Sequence, residues 1–149
     1  MKELSLHLLD VAKNSVAAGA TWVDISLDED KDGRLTIVIS DNGRGMSPEF
    51  LAQVTDPFTT TRTTRKVGLG LPLYRMAAEQ TGGSLDIQST LGKGTTVTAV
   101  FHRRHLDCPP LGDLAGTVAL LIQGSPELDL HYRHTTPRGT AELSTGALR

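Results

Sequence analysis

The chain has 149 residues, of which 38% are hydrophobic and 15 are glycine, and its formal net charge is −2. Apolar residues and glycine together reach the share of about 45–50% that is usual for globular domains, so the composition excludes disorder as the overall state. The balance of 17 acidic and 15 basic residues excludes the global positive field of a nucleic-acid-binding protein.

No segment is expected to cross a membrane or to direct secretion. Charged residues interrupt the N-terminus before a signal-type apolar core can form, and no apolar run approaches the ~20 residues that a membrane span needs. A single cysteine, Cys108, cannot build a disulfide framework or a metal-ligand cluster, which suits a reducing compartment. We therefore expect a cytoplasmic protein.

The first half of the chain is predicted to begin with a helix and a strand pair. Apolar residues at helical spacing predict a helix over about residues 3–18, with Asp10 and Asn14 on its opposite stripe. Apolar and β-branched runs predict strands at 22–27 and 35–39, joined by a charged turn at 28–33. Further elements are a short helix from Ser47 toward residue 54 and a surface loop at 56–67.

The second half is predicted to contain a helix over 71–81, strands at 84–90 and 95–101, and a turn at 91–94 between them. After Phe101 the composition changes. The predicted elements that follow are a short helix around 114–122, an alternating strand at 128–133 and a last strand around 141–143. We divide the chain into a main domain, residues 1–105, and an extension, residues 106–149. The extension is too short for its own core, so we expect it to pack on the main sheet or on another subunit.

Two clusters in the first half are candidate ligand sites. Asp10 and Asn14 lie one helical turn apart and could hold a hydrated Mg²⁺ or orient a water, although a solvated helix face has the same pattern. The segment Asp41-Asn42-Gly43-Arg44-Gly45 directly follows a strand. The Asp41 carboxylate could accept a hydrogen bond from an exocyclic amine such as adenine's. An ordinary hairpin turn is the alternative, but a helix start follows instead of a strand.

Two more glycine motifs lie further along the chain. Residues 56–70 form a hydroxyl-rich, cationic segment that ends in Gly68-Leu69-Gly70 at a helix start, where free backbone N–H groups suit phosphate. A solvated basic loop is the alternative, and neither a Rossmann fingerprint nor a Walker A motif is present. The segment Gly92-Lys93-Gly94-Thr95-Thr96 taken alone would be an ordinary hairpin turn.

In this order, the motifs resemble the N, G1, F, G2 and G3 boxes of the GHKL ATPase superfamily, which includes gyrase, Hsp90, histidine kinase and MutL proteins. The resemblance covers about residues 7–101. Residues 56–62, Asp-Pro-Phe-Thr-Thr-Thr-Arg, and residues 68–71, Gly-Leu-Gly-Leu, look most like the catalytic ATP-binding domain of bacterial sensor histidine kinases. The implied fold is an α/β two-layer sandwich of the Bergerat type. Its sheet is mixed but mainly antiparallel and is covered by helices, with a C-terminal helix and β extension.

The resemblance also implies roles for single residues. Asn14 would ligate a Mg²⁺ that bridges the phosphates of ATP, Asp41 would recognise the adenine amine, and Thr96 would lie near the adenine beside Asp41. Arg62 would reach the γ-phosphate as a catalytic cation. Asp10 stands where ATP-hydrolysing members carry a longer Glu that activates water, which leaves hydrolysis open. The other implied ATP-binding residues are Gly43, Gly45, Phe58, Thr61, Arg65, Lys66, Gly68, Leu69 and Gly70.

The implied function is Mg-dependent ATP binding and phosphoryl transfer by a stand-alone histidine-kinase-type domain that acts on a partner in trans. None of the five histidines has the sequence context of a phosphoacceptor, so the acceptor would belong to an unidentified phosphoacceptor protein or signalling partner. The alternatives are a Ser/Thr kinase similar to the anti-sigma-factor kinases, a nucleotide-dependent binding module, and a weak ATPase. No nucleic acid or membrane partner is implied. The extension matches no part of the superfamily, and its alternating strand could also form a homodimer contact.

Overall fold

The structure, a computed structural model, describes residues 4–17, 19–45, 70–103, 112, 114–124 and 128–144. These ranges contain three helices: α1 (Leu4–Ala17), α2 (Gly70–Gln80) and α3 (Leu114–Gly124). They also contain six strands: β1 (Trp22–Glu29), β2 (Arg34–Asp41), β3 (Ser84–Thr90), β4 (Gly94–His102), β5 (Asp129–Thr136) and β6 (Gly139–Ser144). Within the described ranges, none of the helices is long and apolar enough to span a bilayer.

The six strands form one open sheet in the order β3-β4-β2-β1-β5-β6. All neighbouring strands pair antiparallel except β1 and β5, which pair in parallel. This is the mixed, mainly antiparallel sheet that the resemblance to the GHKL superfamily implies. The strands β5 and β6 of the extension continue the sheet of the same chain, and α3 contacts α1.

The helices cover one face of the sheet, since strand alternation directs the large apolar side chains to that face. From β1, β2 and β4 the buried set is Val23, Ile25, Leu27, Leu35, Ile37, Ile39, Val97, Ala99 and Phe101. Helix α1 contributes the predicted stripe, in which Leu4, Leu8, Val11 and Ser15 are all buried. The other face carries polar side chains, such as the exposed Asp24 and the half-buried Ser26 and Thr98. The fold is therefore two layers with one core between them.

The predicted turn at 28–33 is shorter in the structure, because Asp28 and Glu29 still belong to β1. Asp30 then forms the turn: its Oδ1 accepts hydrogen bonds of 2.9 Å from the backbone N–H groups of Asp32 and Arg34. Strand β3 matches its predicted bounds. The predicted helix at 47–54, the loop at 56–67 and Cys108 lie outside the described residues.

Candidate nucleotide site

At the end of β2, a row of polar side chains borders the apolar core. We refer to this place as the Asp41 edge of the sheet. The strand register aligns Ser89 of β3, Thr95 of β4 and Asp41 of β2 in one line. Residues that oppose each other in antiparallel strands lie on the same face. The next line along the strands is apolar and consists of Ile87, Val97, Ile39 and Ile25. This place therefore has hydrogen-bonding groups beside an apolar row of the core, an arrangement that suits a flat heterocycle with polar edges.

Two donors fix the orientation of the Asp41 carboxylate. The buried Ser15 of α1 donates from its Oγ to Asp41 Oδ2 at 2.6 Å. The backbone N–H of Gly43 donates to the other oxygen, Oδ1, at 2.8 Å. A carboxylate has about four lone-pair sites, so two donors leave it able to accept from a third group. The hydrogen bond from Ser15 also shows that α1 and the end of β2 meet at this site.

Two glycine motifs that the sequence separates by about fifty positions are packed against each other. A Cβ on Gly94, whose φ is +128°, would lie 2.1 Å from the carbonyl oxygen of Asp41. A Cβ on Gly45, whose φ is +73°, would lie 2.1 Å from the carbonyl oxygen of Thr90. The Gly92 N–H also donates to the Arg44 carbonyl. The loop after β2 and the turn between β3 and β4 thus form one backbone-packed unit, and these glycines allow the close approach.

Asn42 ties this unit to the start of β1. Its Oδ1 accepts from the backbone N–H groups of Thr21 and Trp22 at 2.9 and 3.1 Å. Its Nδ2 donates to Thr21 Oγ1 at 2.7 Å. This role of Asn42 was not predicted from the sequence. An asparagine in a turn signals side-chain bonding to nearby backbone, but the partner here lies about twenty positions away in the chain.

The strand register corrects the predicted placement of Thr96 beside Asp41. Thr96 lies opposite Ser40, and their hydroxyl oxygens are 3.2 Å apart on the face that the helices leave open. Thr95 is the residue that opposes Asp41. A shift of one residue moves a side chain to the other face of a sheet. Thr95 is in phase with the buried Val97, Ala99 and Phe101 and shares their face, whereas Thr96 lies on the opposite face.

Several other predicted site residues lie outside what the structure describes. The helical backbone of Asp10 and Asn14 is described, but their side chains are not; Asn14 directly precedes Ser15, which contacts Asp41. Gly70 is the first residue of α2. Within the described residues, no group of three or more His, Cys, Asp or Glu side chains is placed to hold a metal ion. The predicted residues wholly outside the described ranges are Phe58, Thr61, Arg62, Arg65, Lys66, Gly68 and Leu69.

Comparison with known proteins assigns the family. A family model described as "Histidine kinase-, DNA gyrase B-, and HSP90-like ATPase" matches residues 2–105. The chain belongs to this ATPase family. The match confirms the resemblance to the GHKL superfamily, and it relates this ATPase domain to the catalytic domains of histidine kinases.

The curated relatives of the ATPase domain are much longer proteins. Sensor protein SrrB of Staphylococcus aureus (strain NCTC 8325 / PS 47) is 38% identical over 101 residues, which cover 64% of this chain and 17% of SrrB. SrrB of the strain COL matches with the same figures. The chain therefore spans only a small part of the length of these relatives.

A solved structure shares the fold. The crystal structure of the N-terminal domain of a DNA repair protein matches with a TM-score of 0.58 and 17% sequence identity. The match covers 95% of this chain and 51% of the other. Since the family model ends at residue 105, the shared fold also includes most of the extension.

Proposed function

We propose that the ATPase domain binds Mg·ATP at the Asp41 edge of the sheet and transfers the γ-phosphoryl group to a protein partner in trans. The observation that carries the proposal is the Asp41 carboxylate, which Ser15 and Gly43 orient beside an apolar row of the core. A carboxylate only accepts hydrogen bonds, so it would select an exocyclic amine such as the adenine N6 group. Thr95, which opposes Asp41 in the strand register, would have the role near the adenine that the resemblance assigns to Thr96.

The phosphate end of the nucleotide would depend on α1 and on the segment before α2. Mg²⁺ prefers oxygen ligands and usually keeps waters and substrate phosphates, so it needs few protein ligands. The amide oxygen of Asn14 is such a ligand, and its neighbour Ser15 reaches Asp41, so one helix would serve both ends of ATP. Bound Mg²⁺ would neutralise charge on the phosphates during transfer. The other proposed phosphate contacts are Thr61, Arg62, Arg65, Lys66, Gly68, Leu69 and Gly70, with Phe58 anchoring the loop.

Catalysis of phosphoryl transfer depends mainly on positioning and on electrostatic stabilisation, not on covalent chemistry of the protein. Arg62 would offset the charge that develops on the transferred group. Asp10 is shorter than the glutamate that activates water in the hydrolysing members, which favours transfer to a partner over hydrolysis. The description of the matching family, which includes histidine kinases, supports a histidine as the acceptor.

The test is a transfer assay with γ-labelled ATP, Mg²⁺ and a lysate of the source cells, followed by acid and base treatment of the labelled proteins. We expect an acid-labile, base-stable label, typical of phosphohistidine. An acid-stable label would identify a Ser/Thr kinase instead. Nucleotide binding without transfer or hydrolysis would identify a nucleotide-dependent binding module. Hydrolysis without transfer would identify a weak ATPase.

Binding itself is tested with two variants. Asn14→Ala should abolish Mg-dependent ATP binding, whereas Lys13→Ala, at an exposed neighbouring position of α1, should not change it. Asp41→Asn should reduce the preference for ATP over GTP, because an amide can turn its NH₂ group toward the guanine carbonyl. Retained Mg-ATP affinity in Asn14→Ala would contradict the magnesium assignment.

A further inference from the structure

The hydroxyl of Ser89 joins the turn between β3 and β4 to Thr95. Ser89 Oγ donates to the carbonyl oxygen of Gly94 at 3.0 Å. The same Oγ lies 2.8 Å from Thr95 Oγ1. Both residues are half-buried on the helix-covered face, in the line that ends at Asp41. Ser89 therefore contacts Thr95 from the side away from Asp41.

The contact of Ser89 with the Gly94 carbonyl favours one direction for the hydroxyl–hydroxyl bond. A carbonyl oxygen can only accept, so the hydrogen of Ser89 points to Gly94. Each hydroxyl has one hydrogen and two acceptor lone pairs. In that arrangement the hydrogen between the two hydroxyls comes from Thr95, which donates to Ser89. With its only hydrogen directed to β3, Thr95 keeps its lone pairs for whatever lies beside Asp41.

The donors around Asp41 also have their hydrogens engaged within the protein. Ser15 and the Gly43 N–H both direct their hydrogens at the carboxylate. With Thr95 donating to Ser89, the hydroxyl hydrogens of Ser15 and Thr95 are both used within the protein. Asp41 and Thr95 are then hydrogen-bond acceptors for a ligand. An amino group on a purine ring placed there would meet two acceptors, whereas a carbonyl at the same ring position would be repelled by both.

We infer that Ser89 is a positioning residue for purine selection: by accepting the Thr95 hydrogen, it makes Thr95 a second acceptor for the 6-amino group of the base. The inference rests on the proposed function, since it assigns the base end of that same site. Thr95 thus becomes a second group, besides Asp41, that discriminates between purines. The orientation of its hydroxyl is set by Ser89 on β3, a strand that is not adjacent to β2.

The experiment compares Mg·ATP with Mg·ITP, in which a carbonyl replaces the 6-amino group, by titration calorimetry on the full chain. Ser89→Ala frees the Thr95 hydroxyl to rotate and to donate to the ITP carbonyl. We expect the ratio of ATP to ITP affinity to fall by about fivefold, the effect of one ordinary hydrogen bond. Ser84→Ala, an exposed serine on the same strand, is the matched control and should keep the ratio of the unchanged protein.

Two further variants separate this role from a structural one. Ser89→Cys is close in shape and forms only weak hydrogen bonds, so it should shift the ratio in the same direction even if Ser89→Ala does not fold. In a Thr95→Val background, Ser89→Ala should not change the ratio further, because the hydroxyl that it acts through is gone.

The outcomes distinguish the inference from the proposed function. If the unchanged protein binds neither nucleotide, both fail. If it prefers ATP but the folded Ser89 variants keep its ATP-to-ITP ratio, or if the ratio still falls in the Thr95→Val background, the role of Ser89 is overturned while the ATP site stands.

Discussion

Gly94→Ala tests whether the loop after β2 and the β3–β4 turn need their backbone contact. The new Cβ would lie 2.1 Å from the Asp41 carbonyl oxygen and 3.1 Å from Asn42 Cα, both backbone atoms that no rotamer change can move away. The Gly94 φ of +128° adds conformational strain for any L side chain. We expect the free energy of unfolding to fall by about 3 kcal/mol or more, from strain and overpacking together.

Gly92→Ala is the matched control for this prediction. Gly92 lies in the same turn with a φ of +83°, but a Cβ there would meet nothing within 4 Å. The free energy of unfolding should therefore fall by only about 1–2 kcal/mol, the effect of the left-handed backbone conformation alone. The difference between the two variants then reports the close approach to Asp41 together with the difference in φ between the two glycines.

Urea denaturation followed by circular dichroism measures both variants. With a slope of about 1–3 kcal/mol per molar urea for a small domain, a difference of about 2 kcal/mol separates the two midpoints by roughly 1 M. The Gly94→Ala protein should also lose ATP affinity more than Gly92→Ala does, because the Asp41 backbone must move. Equal midpoints for the two variants would refute the close packing of the two motifs.

Three other predictions follow from the same site and from the core. Ser15→Ala removes one of the two donors that orient Asp41, so the Kd for ATP should rise about tenfold; an unchanged Kd would show that the Gly43 N–H alone suffices. Thr95→Val should weaken ATP binding whereas Thr96→Val should not, and the reverse result in a binding titration would contradict the strand register. Burial raises the pKa of the Tyr132 hydroxyl above its usual value of 10.0, so the neutral form is favoured in the folded state. The stabilising effect of Tyr132 is therefore fully present below about pH 10 and is lost as the pH rises through the folded pKa. Thermal unfolding of Tyr132→Phe should show a smaller decline across that alkaline range, and an identical decline would argue against burial of the hydroxyl.

The elements were predictable where one face of an element is apolar and the other polar. The stripe of Leu4, Leu8 and Val11 in α1 and the alternation of β3 are local patterns, and the structure confirms both. The end of β1 was less predictable, since the charged residues Asp28 and Glu29 resemble a turn but still pair with β2. Local patterning therefore gave the elements, and tertiary pairing set their ends.

The sequence was sufficient to predict which motifs form the site, but not how the strand register aligns their residues. The sequence identified Asp41 and the glycine motifs, yet the two motifs meet only because β4 lies beside β2. Thr95 and Thr96 have the same chemistry, so their residue type does not distinguish them; the alternation along β4 and the pairing of Thr95 with Asp41 do. The bonds of Asn42 to Thr21 and Trp22 and of Ser15 to Asp41 depend on contacts between segments that are distant in sequence.

The parallel pairing of β1 with β5 bears on how fragments of this protein should be designed. Thr21 is held on one side by Asn42, while its carbonyl accepts from the Asp129 N–H at 2.9 Å on the other. A fragment that stops at residue 105 would leave the whole hydrogen-bonding edge of β1 bare, next to the buried Val23, Ile25 and Leu27. Bare edges beside apolar surface promote aggregation, so recombinant work on the nucleotide site should retain the chain through β6.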